Sequence, residues 1–114
     1  MTPSVEPEAS PMPGDAVFVA LGDPTRRWLI ESLAASSASA TALARGLPIS
    51  RQAVAKHLSL LADAELVDSE RRGRETRYTL RTEPLHDVSG WARSVGAEWE
   101  SRLARLQGSL RAAD

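Results

Sequence analysis

Apolar residues recur at helical spacing in five stretches of this chain, and a further stretch carries β-branched and aromatic residues on either side of a glycine. Val17, Phe18 and Leu21 make one stripe over about Asp15 to Leu21, ended by Gly22. Asp23-Pro24 then opens a second helix. An aspartate can accept from the exposed N–H groups of a helix start, and a proline in the first position forfeits no hydrogen bond. This helix runs to about Ala35, with Leu29, Ile30 and Leu33 inward and Arg26 and Arg27 near the opposite side. Ser36 to Ala40 reads as a turn, and Thr41 to Arg45 as a short third helix with Leu43 and Ala44 inward, closed at Gly46. Ser50 caps a fourth helix, about Ser50 to Ala64, in which Val54, Leu58 and Leu61 form the buried face. Leu66 to Arg71 and Arg77 to Arg81 flank Arg72-Gly73-Arg74-Glu75 and predict a two-stranded hairpin. Pro84 opens a long last helix whose stripe of Leu85, Val88, Trp91, Val95, Trp99, Leu103, Leu106 and Leu110 spans about seven turns.

Composition narrows the class. At 114 residues the chain fits one domain, expected over residues 14–112. Four of its seven prolines (Pro3, Pro7, Pro11, Pro13) lie in the first 13 residues among small and acidic side chains, which predicts a disordered tail over 1–13. No stretch is apolar enough to span a bilayer, and the start has neither a basic region nor an apolar one that would mark a leader. With no cysteine there is no disulfide framework and no thiolate metal site, which fits a cytoplasmic location. The net charge of −1 argues against nucleic acid only until its distribution is read. Residues 1–23 hold four acids (Glu6, Glu8, Asp15, Asp23) and no base, whereas residues 45–81 hold eight bases against five acids.

Two short helices joined by a tight turn and followed by a basic hairpin are the order of a winged helix-turn-helix, whose second helix enters the major groove of DNA. The predicted fold class is therefore mainly α with a small β-hairpin wing. If Val54, Leu58 and Leu61 point to the core, then Arg51, Gln52, Ala55, Lys56 and Ser59 point away from it. Arginine can pair with guanine, glutamine with adenine, and lysine with a phosphate or guanine, while Ala55 permits close approach or contact with a thymine methyl. Five arginines (Arg71, Arg72, Arg74, Arg77, Arg81) fall within 71–81 against Glu75 alone, and can reach the DNA backbone or minor groove. The expected contact set to double-stranded DNA is Ser50, Arg51, Gln52, Ala55, Lys56 and Ser59, with Arg72, Arg74 and Arg77 on the wing. The competing reading is a protein-binding module whose arginine hairpin docks an acidic partner. Catalysis is not expected: no glycine-rich phosphate loop and no Ser/His/Asp set that could meet is present.

Several segments together resemble the ArsR family of bacterial regulators, in its branch without metal ligands. They are Ala20-Leu21-Gly22-Asp23-Pro24-Thr25-Arg26-Arg27, Ile49-Ser50-Arg51-Gln52-Ala53-Val54-Ala55-Lys56-His57-Leu58, Leu60-Leu61-Ala62-Asp63-Ala64-Glu65-Leu66-Val67, and Arg72-Gly73-Arg74 with Tyr78 and Leu80. The resemblance covers about residues 15–110. It implies a homodimer, operator binding and usually repression, with the DNA-facing positions falling on Arg51, Gln52, Ala55 and Lys56. Family members usually carry glycine where this chain has Glu65, so Glu65 must adopt a left-handed conformation or alter the helix end. The turn at Ser36 to Ala40 also lacks the glycine and acid often seen there.

No cofactor or metal is expected. Leu43, Ala44 and Arg45 offer no soft ligand, and the last helix has His86 with Asp87, Glu98 and Glu100 scattered around it. His57, at the edge of the buried face of the fourth helix, suggests packing or a phosphate contact. The long last stripe predicts a dimer interface of Phe18, Leu85, Trp91, Val95, Trp99, Leu103 and Leu106, with Trp28 near the seam. The alternative makes Trp91 and Trp99 core against Phe18 and Leu21. Without thiol or metal sensing, a small apolar ligand at the dimer seam, a partner protein or autorepression stays open as the effector route.

Overall fold

The computed structural model describes residues 14–112, and the tail expected over 1–13 lies outside them. In chain order the elements are α1 (Asp15–Leu21), α2 (Pro24–Ala35), β1 (Ala38–Ser39), α3 (Ala40–Ala44), α4 (Arg51–Asp63), β2 (Val67–Arg72), β3 (Glu75–Leu80) and α5 (Glu83–Ala112). Two compact units divide the chain between Leu85 and His86.

Local chemistry sets the helix starts. The Asp23 carboxylate accepts from the Arg26 N–H at 3.0 Å, with Pro24 leading α2. Ser50 Oγ accepts from the Ala53 N–H at 3.1 Å to begin α4, as its position before the apolar repeat predicts. At the far end of α4 the Glu65 N–H donates to the Ala62 carbonyl and the Leu66 N–H to the Leu61 carbonyl, both at 2.9 Å. That pair of bonds is the Schellman arrangement, which needs a left-handed residue between helix and strand. Glu65 supplies it at φ 62, the only non-glycine with positive φ among the described residues. The chain thus keeps the helix end and strains a glutamate, which costs about 1–2 kcal/mol relative to glycine.

The core of the first unit joins Val17 and Ala20 of α1, Leu29, Ile30 and Leu33 of α2, Leu43 of α3, and Val54, Leu58 and Leu61 of α4, with Leu66 and Val67 beyond. Three sequence expectations need correction. The buried face of α1 is Val17 with Ala20, and Phe18 turns outward, because α2 and α4 close on the other side of that helix. Ser36 to Ala40 is not a plain turn. Ala38 and Ser39 form a strand that pairs antiparallel with Tyr78 and Arg77, making a three-stranded sheet in the order β1-β3-β2. Ser39 is buried there, and its hydroxyl accepts from the Ala42 N–H at 3.1 Å, so α3 starts at Ala40 rather than Thr41. Trp28 packs on Gly46: a Cβ at Gly46 would stand 2.9 Å from the indole ring, so only glycine fits beneath it.

The hairpin is tighter than the four-residue link read from sequence. Arg72 pairs with Glu75, leaving Gly73-Arg74 as a two-residue tip, which Gly73 makes possible at φ 63. In the second unit, the helix carried on from His86 buries none of its residues; Trp99 and Leu106 are 55% and 56% exposed.

A candidate nucleic-acid interface

The outward face of α4 carries Arg51, Gln52, Lys56 and Ser59 exposed and Ala55 half-buried, the opposite side to Val54, Leu58 and Leu61. Between this helix and the wing runs an open cleft of about 250 Å³, into which Arg51, Gln52 and Ala55 face from one wall and Arg74, Thr76 and Tyr78 from the other. Three helix residues and one wing arginine expected to meet DNA therefore share one concave surface. Lys56, Ser59 and Arg72 lie outside that cleft. Thr41 and Tyr78 line it as well, and β1 is the reason: pairing Ala38 with Tyr78 draws the start of α3 onto the sheet. Sequence reasoning quoted Tyr78 but gave it no role, and passed over Thr41.

The wing arginines divide into two groups. Arg74, at the tip, and Arg71 and Arg72 are exposed; Arg71 Nε donates to the Gly73 carbonyl at 3.1 Å and Arg72 Nη2 to Glu70 Oε1 at 3.4 Å. Exposed pairs such as the latter contribute about 0–1 kcal/mol and give way readily to a phosphate. Arg77 and Arg81 turn to protein partners. Half-buried Arg77 donates from Nη1 to the Ser37 carbonyl at 3.0 Å, holding the segment before β1. Arg81 stands 3.6 Å from Glu65, 3.9 Å from Asp68 and 3.6 Å from Glu83, three carboxylates that more than offset its charge at the base of the hairpin. The sequence density of arginine thus overstates the charge offered outward.

Arg26 and Arg27, read as near the side opposite the inward residues, fold back on the end of α1. Arg26 donates to the carbonyls of Ala20 and Val19, and Arg27 to that of Leu21, satisfying acceptors that a helix C-terminus leaves open. Arg26 also reaches His57, so the histidine is tied to α2 by a hydrogen bond. Asp23 beside them is held below the ordinary carboxylate range, first by the Arg26 N–H it accepts, an effect that outweighs the opposing one of desolvation, and then by the charge of Arg26.

Phe18 and the α5 residues Trp91, Val95, Trp99, Leu103 and Leu106 are exposed in the single chain, and Leu85 is half-buried. Among the described residues no group of three or more His, Cys, Asp or Glu gathers where it could hold a metal, and no helix is long and apolar enough to cross a membrane.

Known proteins are similar to this chain in sequence and fold. Residues 21–70 match the family model of a helix-turn-helix domain. YuzN of Bacillus subtilis, an uncharacterized HTH-type transcriptional regulator, is 41% identical over 87 residues, covering 68% of this chain and 92% of the relative. The transcriptional repressor SdpR of the same organism is 35% identical over 75 residues, covering 66% of this chain and 83% of the relative. Among solved structures, an ArsR-like transcriptional regulator from Rhodococcus sp. RHA1 superposes with a TM-score of 0.77 at 40% identity, over 85% of this chain and 89% of that one.

Proposed function

The chain belongs to the ArsR family of winged helix-turn-helix transcriptional regulators, and from that premise we propose that it is a repressor which binds a pseudo-palindromic operator as a homodimer. A DNA-binding regulator is what the family makes it; the repressor role, the dimer and the contact residues are our reading. One observation carries it: Arg51, Gln52 and Ala55 of α4 share a cleft with Arg74 of the wing, so base-reading and backbone-binding groups open onto the same surface. Ser50 caps the helix end that enters the groove, Lys56 and Ser59 extend the same face, and Arg72 adds backbone charge beside Arg74. Arg77 serves this surface indirectly, by bracing the sheet.

The repressor role is supported by the likeness to SdpR, and the dimer by the apolar stripe of α5. A two-fold dimer sets its two recognition helices about one DNA turn apart, roughly 34–36 Å, which is why the operator is expected to be palindromic. The homodimer, with a cytoplasmic location and an effector of protein or small-molecule type, completes the proposal.

Selection of bound duplexes from a random pool tests it. The expected result is an enriched palindrome, with Arg51→Ala or Gln52→Ala relaxing preference at one position of each half-site by about 1–3 kcal/mol. Arg74→Ala should weaken every sequence alike and flatten the salt dependence. A pool with no enriched motif would overturn the reading in favour of an acidic protein partner for the hairpin.

A further inference from the structure

One side chain ties three helices together at a point the DNA-reading face does not use. Arg26 donates from Nε to the Ala20 carbonyl at 3.1 Å and from Nη2 to the Val19 carbonyl at 3.0 Å, both in the last turn of α1. Its Nη1 lies 3.3 Å from Nδ1 of His57, midway along α4. Asp23, whose carboxylate accepts from the Arg26 N–H, stands 4.0 Å from the same His57 nitrogen.

A guanidinium can only donate, so the Arg26–His57 bond requires a neutral imidazole with its proton on Nε2 and a lone pair at Nδ1. A second proton, on Nδ1, removes that acceptor and sets one cation against another. It also gives Asp23 a new partner, in competition with its place as the cap of α2. Arg26 would give up its bonds to two α1 carbonyls if it retreated, so the misfit falls on α4. His57 sits next to Lys56 and two residues from Ala55, so a shift in its seating moves the DNA-facing side chains.

Asp23 and Arg26 are the charged groups that face His57 from the elements packed on α4. α1 carries Asp15, in its first turn and at the other end from Val19 and Ala20. α2 adds Arg27, which is engaged on the Leu21 carbonyl, and Glu31, more than one turn beyond Arg26. Exposed Arg45 ends α3. On β2, Asp68 is held by Arg81, while Glu70, Arg71 and Arg72 interact among themselves and with Gly73 toward the tip.

We propose that Asp23, Arg26 and His57 form a positioning node that seats the recognition helix, so that sequence-specific DNA affinity weakens when His57 takes up a proton. The proposal rests on the DNA-reading role given to α4 above. Its direction separates it from a phosphate contact by His57, because a histidine on phosphate would bind more tightly when protonated.

The test uses the full chain, a duplex enriched by selection and a random duplex, at constant ionic strength from about pH 8 down to about pH 5.5. The ratio of the two affinities cancels the general gain of positive charge. For the native chain that ratio should fall by about tenfold on acidification, the scale of one lost hydrogen bond to a charged group. His57→Gln keeps an oxygen that can accept from Arg26 and does not titrate, so its ratio should match the native one at the upper pH and stay level. A native ratio that stays level or rises on acidification, or a His57→Gln ratio that falls in parallel, would overturn the node. Absence of any preferred duplex at the upper pH would overturn the DNA-reading role itself, and the node with it.

Discussion

Helices α4 and α5 both repeat apolar residues at steps of three and four, yet Val54, Leu58 and Leu61 of the first are wholly buried while α5, 30 residues long, buries none. α4 lies against α1, α2, α3 and β2, so every residue of its stripe finds cover within 13 positions. The stripe of α5 keeps Val95, Trp99, Leu106 and Leu110 at least half exposed in the single chain. Periodicity therefore states which face of a helix seeks cover, and leaves open which molecule provides it. A helix that folds the domain and a helix left exposed in the single chain can be written in the same pattern.

Truncating one large apolar residue in each helix should separate the two roles. Leu58→Ala removes a fully buried side chain and should cost about 2–5 kcal/mol of folding stability, read by denaturant unfolding. Trp99→Ala should leave unfolding of the winged-helix unit nearly unchanged and instead weaken self-association by about thirtyfold, or about 2 kcal/mol, read by sedimentation equilibrium. If Trp99→Ala left association unchanged, α5 would have to find its cover elsewhere.

The ends of α4 sharpen the contrast on a smaller scale. Glu65→Gly relieves the left-handed glutamate at the loss of its exposed pairing with Arg81, for a net gain of about 1 kcal/mol in a thermal melt. The smallest effect is expected at Asp23, whose carboxyl is held low. The stability it contributes is fully present above about pH 4, the ordinary unfolded value, and is lost as pH falls through the lower folded one. Asp23→Asn should shallow the decline of Tm with acid over that range and leave no new slope above it.

What could be read from the residues alone follows the reach of each interaction. Ser50 and Asp23 were legible because a cap bonds three residues ahead, and the outward set Arg51, Gln52 and Ala55 followed from helical geometry once the core face was known. Glu65 was legible as a choice between strain and an altered helix end, and the two bonds around it decide the choice. β1 was not legible: Ala and Ser have little strand preference, and the strand exists because Tyr78 and Arg77, some forty residues on, pair with it. The partners of Arg77 and Arg81 are not legible, because sequence counts arginines and cannot show Ser37, Glu65, Asp68 and Glu83 engaging them. The seat of Trp28 is hidden for a related reason: its signal is Gly46, a residue that reads as a helix stop and also serves as a floor for an indole.

The seat of Trp28 on Gly46 distributes the three tryptophans unevenly, one in the winged-helix unit and two in α5. Fluorescence can therefore listen to each unit separately. A chain keeping only Trp28 reports melting of the winged-helix unit through a half-buried indole, whereas one keeping only Trp99 starts half exposed and, on the dimer proposed above, should shift its emission to the blue with concentration. Two emission curves recorded against protein concentration and denaturant would then resolve folding from assembly without any added label.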